Sequence, residues 1–189
     1  ILLCLVAFIG ITKTEETCGD SWSVNYEVKP KTLVVRGSAS EGAIIKISIQ
    51  SLDTTISKCI LKTDANTEIK NGEFITPPFP VCGNTGYNVS LSIECENIEK
   101  GWKEKIIWTP PEAPSNVKAE EVTESSFFLK WDSPFGGIIS TYKIQLNEEI
   151  FTQNNNDPFY RAENLQSNTN YTVRVSARGK EEWSDSSHQ

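Results

Sequence analysis

The cysteines are the residues of this 189-residue sequence best suited to form covalent cross-links. Apart from one in an apolar N-terminal run, they all lie in the first half of the chain: Cys18, Cys59, Cys82 and Cys95. None of the spacings has the two-residue gap typical of zinc or redox sites, so we expect no metal site. An even number of cysteines after a secretion signal predicts two disulfides formed in an oxidising compartment.

Catalytic chemistry has little support in the sequence. The only histidine is His188, near the end of the chain, so a serine or cysteine nucleophile would lack a base. Four pairs of adjacent glutamates occur, at positions 15–16, 120–121, 148–149 and 181–182. Neighbours in a strand point to opposite faces, which separates such carboxylates. Gly136 and Gly137 lack the following helix that a phosphate-binding loop requires. We therefore expect no enzymatic activity, no cofactor and no small-molecule substrate.

Two glycosylation sequons are present, Asn88-Val89-Ser90 and Asn170-Tyr171-Thr172. We expect both asparagines to carry glycans on side chains that face water. The net charge is −7, with acidic and basic residues interspersed, so a nucleic-acid partner is not expected. These features agree with an extracellular protein, either secreted or the ectodomain of a plasma-membrane protein.

The first residues form an apolar run, residues 1–11, with the length of a signal-peptide core. The run is too short to span a bilayer, which needs about 20 apolar residues. We interpret residues 1–14 as the remnant of a signal peptide. A truncated membrane anchor or an ordinary core strand is the alternative.

A proline-rich stretch predicts a domain boundary. Pro110, Pro111 and Pro114 favour an extended, semi-rigid spacer. On both sides the hydrophobic pattern has period two, in short runs separated by turn residues, which indicates an all-β chain. We expect one module over residues 18–109 and a second over residues 110–189.

The second half contains seven such runs, the number that closes a β-sandwich. They cover residues 117–122, 126–132, 138–146, 149–153, 159–165 and 171–177, and the last begins near Trp183. In the sixth run, Tyr171 and the apolar residues that alternate with it share one face, while Asn170 and Thr172 take the other.

This half resembles a fibronectin type III domain over about residues 111–189. The matching residues are Pro111, Pro114, Trp131, Pro134, Tyr142, Leu165, Thr169, Tyr171, Val173, Val175 and Ala177. A leucine six residues before a tyrosine, followed by alternating small apolar residues, is similar to the tyrosine corner of that family. A sandwich of another superfamily is the alternative.

The first half is more divergent. Its runs cover residues 22–28, 32–37, 43–50, 54–62, 73–76, 87–95 and 103–108. The run from Tyr87 repeats the pattern of the second half, but no tryptophan stands on the second strand. The predicted fold class is therefore all-β, with two tandem immunoglobulin-like or fibronectin type III-like β-sandwiches, the first stapled by disulfides.

If the first half winds like the second, Cys18 and Cys95 lie at one pole and Cys82 at the other. The strand that ends at Cys95 separates it from Cys82 by about 26 Å, at roughly 3.3 Å per residue, which is too far for a bridge. We therefore expect the pairs Cys18–Cys95 and Cys59–Cys82.

The stretch Trp183-Ser184-Asp185-Ser186-Ser187 resembles the tryptophan-serine repeat of class I cytokine receptors, although its second tryptophan is missing. That resemblance implies cation-π stacking of Arg174 and Arg178 on Trp183. The alternative is a sandwich edge rich in tryptophan and serine.

These observations together predict an extracellular protein-binding or adhesion module pair with a protein ligand. The alternatives are a receptor ectodomain, cytokine-receptor-like or from a receptor tyrosine phosphatase or kinase with its catalytic domain beyond residue 189, and a free-standing secreted protein. We expect the chain to continue beyond Gln189, so that any membrane anchor lies there.

The predicted partner contacts are Phe135 and Trp183. Residues 133–137 and 179–182 should lie together at the pole of the second module nearest the linker. Phe135 either anchors a partner there, or caps the sandwich or packs on the first module.

Overall fold

The computed structural model describes residues 21–53, 59 and 62–187 of the chain. Within that part there are fourteen strands and no helix. The predicted signal-peptide remnant, residues 1–14, lies outside the described residues, as do Cys18 and His188.

The first half folds into two antiparallel sheets around one core. The strands are β1 Ser23–Lys29, β2 Thr32–Ser38, β3 Ile44–Ser51, β4 Lys62–Glu68, β5 Glu73–Ile75, β6 Phe79–Pro80, β7 Gly86–Cys95 and β8 Ile98–Trp108. One sheet has the order β1-β2-β5, with β6 also paired to β2, and the other has the order β4-β3-β7-β8. Every second residue of β3 and β7, including Ile47 and Leu91, is buried between the sheets.

The second half repeats this winding around a separate core. Its strands are β9 Ser115–Glu120, β10 Phe127–Asp132, β11 Thr141–Leu146, β12 Glu149–Gln153, β13 Phe159–Ala162 and β14 Val173–Arg178. The sheets have the orders β13-β10-β9 and β12-β11-β14. Trp131 meets Tyr142 edge-to-face in this core, with ring centroids 5.0 Å apart. The predicted all-β architecture of two tandem sandwiches is confirmed.

Both sandwiches contain a tyrosine corner. The hydroxyl of Tyr171 accepts a hydrogen bond from the backbone N–H of Gln166, at 2.9 Å. In the first sandwich the hydroxyl of Tyr87 accepts one from the backbone N–H of Cys82, at 2.8 Å. In each case the donor lies five residues before the tyrosine, so the two halves share this local feature as well as their strand order.

Several predicted strand boundaries were wrong. The strand expected over residues 54–62 falls, apart from residues 59 and 62, outside the described residues, and the sequence did not predict β4, Lys62–Glu68, in which no residue is fully buried. A polar edge strand carries no alternating apolar pattern, so its position was not visible in the sequence. β8 begins at Ile98 rather than residue 103, β14 begins at Val173 rather than residue 171, and Trp183 forms an isolated bridge with Arg178.

Candidate protein-binding site

The junction of the two sandwiches brings four segments together. We call them the elbow: linker residues 109–114, the loop 83–85 of the first sandwich, and the loops 133–138 and 179–182 of the second. The linker is tied to the first loop by its own backbone, because Thr109 donates its N–H to the carbonyl of Thr85 at 3.0 Å. Asn84 in turn donates its N–H to the carbonyl of Pro110 at 3.1 Å.

The hydroxyl of Thr109 completes this attachment. It accepts a hydrogen bond from the N–H of Thr85 at 2.9 Å and donates to the carbonyl of Cys82 at 2.6 Å. Thr109 is buried, so its hydroxyl replaces water for two backbone groups that would otherwise be unpaired. The start of the linker is therefore hydrogen-bonded to the first sandwich.

Three glycines of the second sandwich pack against the loop of the first. A methyl group at Gly136 would overlap the carbonyl oxygen of Gly83, and one at Gly137 would overlap the carbonyl oxygen of Asn84. At Gly179 it would overlap the side-chain oxygen of Asn84. Only glycine permits this approach, so the elbow is a close backbone-to-backbone contact.

Asn84 is the central residue of that contact. It is buried and adopts a φ of 51°, a left-handed conformation that asparagine tolerates better than most residues. Its side-chain amide donates to the carbonyl of Gly136 at 3.4 Å. Sequence reasoning missed Asn84, whose role depends on a loop 52 residues further along the chain.

A cation–π contact crosses the elbow beside the glycines. The ammonium nitrogen of Lys180 lies 4.0 Å from the ring centroid of Trp108, which ends β8. An ion pair between Lys31 and Glu112, at 2.6 Å, ties the linker to the first sandwich on the exposed surface. The cation–π contact joins the loop 179–182 to the first sandwich, and the ion pair joins the linker to it, although exposed ion pairs contribute little stability.

The loop that holds Gly136 and Gly137 presents apolar side chains to solvent. Phe135 is 52% exposed and Ile138 is 82% exposed. Ile139, the next residue, is buried in the core. Ile138 was not singled out from the sequence, although only one of two adjacent isoleucines can face the core of a sandwich. The glycines thus pack the loop against the first sandwich, while the apolar side chains on either side of them remain exposed to solvent.

An open cleft of about 800 Å³ lies between the first sandwich and the loop 179–182. Tyr26, Lys105 and Trp108 line one side, and Glu181 and Glu182 line the other. The ammonium nitrogen of Lys105 lies 5.1 Å from the ring centroid of Tyr26, and partial burial raises the pKa of this tyrosine. The cleft is amphipathic, with aromatic rings beside charges of both signs.

Trp183 lies on the sheet that contains β11 and β14, beside Lys143 and Arg178. The cations over its ring are Lys143, at 4.8 Å, and Arg178, at 5.9 Å, among the residues that the structure describes. Arg178 therefore stacks as the resemblance implies, and Lys143 takes the place expected for Arg174.

The serines after Trp183 attach the last segment to β14. The hydroxyls of Ser184 and Ser187 accept hydrogen bonds from the backbone N–H groups of Ala177 and Val175, both at 2.9 Å. The backbone N–H groups of the same two serines donate to the carbonyls of Ala177 and Val175. Each serine thus pairs with β14 through both its main chain and its side chain.

A disulfide joins Cys59 to Cys82, with Cα atoms 5.5 Å apart. Cys82 directly precedes the loop of the first sandwich that enters the elbow, so the bond anchors that loop. Cys95 is also disulfide-bonded, and its expected partner, Cys18, lies outside the described residues.

The two sequon asparagines occupy different surroundings. Asn88 lies half-buried on the outer face of β7, paired with Ile106 of β8. Asn170 is exposed and lies before β14 begins.

Two negative findings concern the part of the chain that the structure covers. In residues 21–53, 59 and 62–187, no group of three or more histidine, cysteine, aspartate or glutamate side chains is arranged to hold a metal ion. Over the same residues, no helix is long and apolar enough to cross a membrane.

Comparisons with known proteins find similarity to fibronectin type III domains. The model of the fibronectin type III domain matches residues 112–189. A fibronectin type III domain-containing protein 1 of Margaritifera margaritifera is 35% identical over 92 residues, and tenascin of Gallus gallus is 29% identical over 98 residues. These matches cover 44% and 49% of this chain but only 12% and 5% of those proteins.

A solved structure extends the likeness to both sandwiches. The segment of two fibronectin type III domains from chicken tenascin superimposes with a TM-score of 0.55, covering 89% of this chain and 95% of that one. The sequence identity is 16%, so the comparison concerns the fold.

Proposed function

Residues 112–189 belong to the fibronectin type III family, and from this we propose that the chain is an extracellular protein-binding module pair. The elbow is its binding surface, and neither sandwich catalyses a reaction. One observation carries the proposal: Phe135 and Ile138 are exposed on a loop whose glycines are packed against the other sandwich. A partner that binds them meets apolar anchors on a rigid support, which lowers the entropy cost of binding.

The disulfide supports the proposed extracellular location. The bond between Cys59 and Cys82 is of a kind that persists in oxidising compartments and is rare in the cytosol. Exposed apolar side chains and an open cleft, rather than an enclosed pocket, support a protein as the proposed partner.

The test screens the secreted chain, dimerised through a fused tag, against purified secreted proteins and cell-surface ectodomains. For a ligand found in this way, Phe135→Ala and Ile138→Ala should each weaken binding by about thirtyfold, which corresponds to about 2 kcal/mol. Val122→Ala is the matched control, since Val122 is exposed in the second sandwich but lies outside the elbow. Melting temperatures check that all three variants fold.

Affinity that survives both elbow substitutions would refute the elbow as the binding surface. A drop in melting temperature, with unchanged affinity per folded molecule, would assign Phe135 a structural role instead.

A cytokine-receptor-like ectodomain is the second candidate function. The stacking of Lys143 and Arg178 on Trp183, and the attachment of Ser184 and Ser187 to β14, favour it. Sequencing the transcript beyond Gln189 separates the candidates, because this receptor requires a membrane-spanning segment there. A phosphatase or kinase domain after such a segment would identify a receptor enzyme.

A further inference from the structure

Three large apolar side chains form an exposed group on the first sandwich, and the first of them, Leu52, lies beside Gly86 and Trp108 at the border of the elbow. Leu52, Trp102 and Ile106 are 48%, 68% and 55% exposed. We call them the apolar strip. They line one shallow depression on the outer face of the sheet β4-β3-β7-β8. The rest of this face on β7 is polar, with Ser90, Ser92 and Glu94, so the strip is an isolated apolar area.

Asn88 lies within the same depression. It pairs directly with Ile106 of β8, and Glu104 and Trp102 follow on the same face of that strand. The first sequon thus places its attachment atom beside the only apolar group of this depression. Trp102 is four residues from Ile106, about 13 Å along the strand at roughly 3.3 Å per residue, a length that two linked hexosamines cover.

The side chain of Asn88 is held in a defined direction. Its amide nitrogen donates to the carboxylate of Glu104, and its amide oxygen is buried without a hydrogen-bond partner among the described residues. The nitrogen that would carry a sugar therefore lies over β8, in the depression that Ile106 and Trp102 also line. An amide nitrogen linked to a sugar keeps one hydrogen, so the bond to Glu104 can persist after glycosylation.

The chemistry of a hexosamine fits this surface. One face of the ring presents axial C–H groups that pack on an aromatic or aliphatic surface, while its hydroxyl and acetamido groups remain hydrogen-bonded. Lys103 and Lys105 do not compete for the strip, because their side chains lie over Trp22 and Tyr26 on the opposite side of β8.

We propose that Asn88 carries an N-linked glycan whose first two sugars pack across Ile106 and Trp102 and cover the apolar strip. This inference rests on the proposed extracellular location, but it requires nothing of the elbow. The glycan then has a structural role at Asn88 that it lacks at Asn170, which is exposed among Ser167, Asn168 and Thr169.

The test uses the chain secreted from eukaryotic cells. Mass spectrometry of glycopeptides measures occupancy at each sequon, and peptide N-glycosidase is then applied to the folded protein. We expect both sites to be occupied and the Asn88 glycan to be released about fivefold more slowly than the Asn170 glycan, equivalent to about 1 kcal/mol of protection. Trp102→Ala should remove most of this difference, and Trp102→Phe should keep most of it.

The second measurement is binding of a fluorescent apolar dye to the strip. Asn88→Gln should increase dye fluorescence, and the matched control Asn170→Gln should leave it unchanged. Equal release rates at the two sites, unaffected by Trp102→Ala, would overturn the proposal.

Occupancy separates this inference from the proposed location. A glycan at Asn170 with none at Asn88 would refute the inference alone, whereas no glycan at either site would count against extracellular export as well. In the first case, concentration-dependent self-association of the chain would identify the strip as a contact between copies.

Discussion

The hydroxyl of Tyr87 accepts a hydrogen bond from the backbone N–H of Cys82, which is disulfide-bonded to Cys59 and directly precedes the elbow loop 83–85. Tyr87 is completely buried in the core. One side chain therefore connects the core of the first sandwich to the loop that contacts the second.

We expect Tyr87→Phe to lower the free energy of unfolding by about 1 to 2 kcal/mol, because it leaves the N–H of Cys82 without its partner. Denaturant titration measures the change. Tyr171→Phe is the matched control, since it removes the equivalent hydrogen bond from a tyrosine that is less buried. If Tyr171→Phe lowers the free energy of unfolding as much as Tyr87→Phe or more, the explanation from burial is contradicted.

Removal of the disulfide by the double substitution Cys59→Ser with Cys82→Ser should cost about 3 kcal/mol, given the sequence separation of 23 between the cysteines. Combined with Tyr87→Phe, the loss should be smaller than the sum by about 0.5 kcal/mol or more, because both changes release the same loop. Strict additivity in this cycle would show that Tyr87 and the disulfide act independently.

The stability of the first sandwich should fall at alkaline pH. Burial raises the pKa of Tyr87, and the hydrogen bond from Cys82 only partly opposes this shift. The neutral phenol is thus the favoured form in the folded chain. Its contribution is complete below the unfolded-state pKa of about 10 and is lost as pH rises through the higher folded-state value.

Denaturant titrations across alkaline pH measure this dependence, and Tyr87→Phe should make it shallower. Tyr26, whose pKa burial also raises, accounts for part of the slope that remains in the first sandwich. An unchanged slope in the Tyr87→Phe variant would contradict the assignment.

Two glycine substitutions test the elbow contact, at positions that both have a positive φ angle. Gly42 and Gly136 have φ angles of 79° and 91°, but only Gly136 lacks space for a methyl group. Gly42→Ala should cost about 1 kcal/mol, from the left-handed conformation alone. Gly136→Ala should cost more and should change the small-angle scattering profile, because the sandwiches must separate. Superimposable scattering profiles for the two variants would argue against a fixed elbow.

The parts of the fold that the sequence predicted are those with alternating burial. The series from Tyr87 and from Tyr171 each place apolar residues on one face, and they produce β7 and β14 of the expected sandwiches. β4 was not predicted because its sequence, Lys62–Glu68, is polar and lies at a sheet edge, where pairing is decided by the neighbouring strand β3. Local patterns do not carry that information.

The candidate site was predicted only in outline. The loop with Phe135 was expected near residues 179–182, and Asn84 touches both Gly137 and Gly179. The importance of Asn84 itself was not visible, because a buried asparagine in a loop is defined by segments distant in sequence. Exposure of Trp102 was likewise not predicted, since β8 begins five residues earlier than its apolar pattern suggested.

The absence of three side chains at the elbow also has a mechanical consequence. With Gly136, Gly137 and Gly179 packed on residues 83 and 84, the sandwiches cannot pivot about the linker prolines without first breaking a backbone contact. A torque applied to one sandwich is therefore transmitted to the other instead of being absorbed between them. We therefore expect the two sandwiches to turn together as one body.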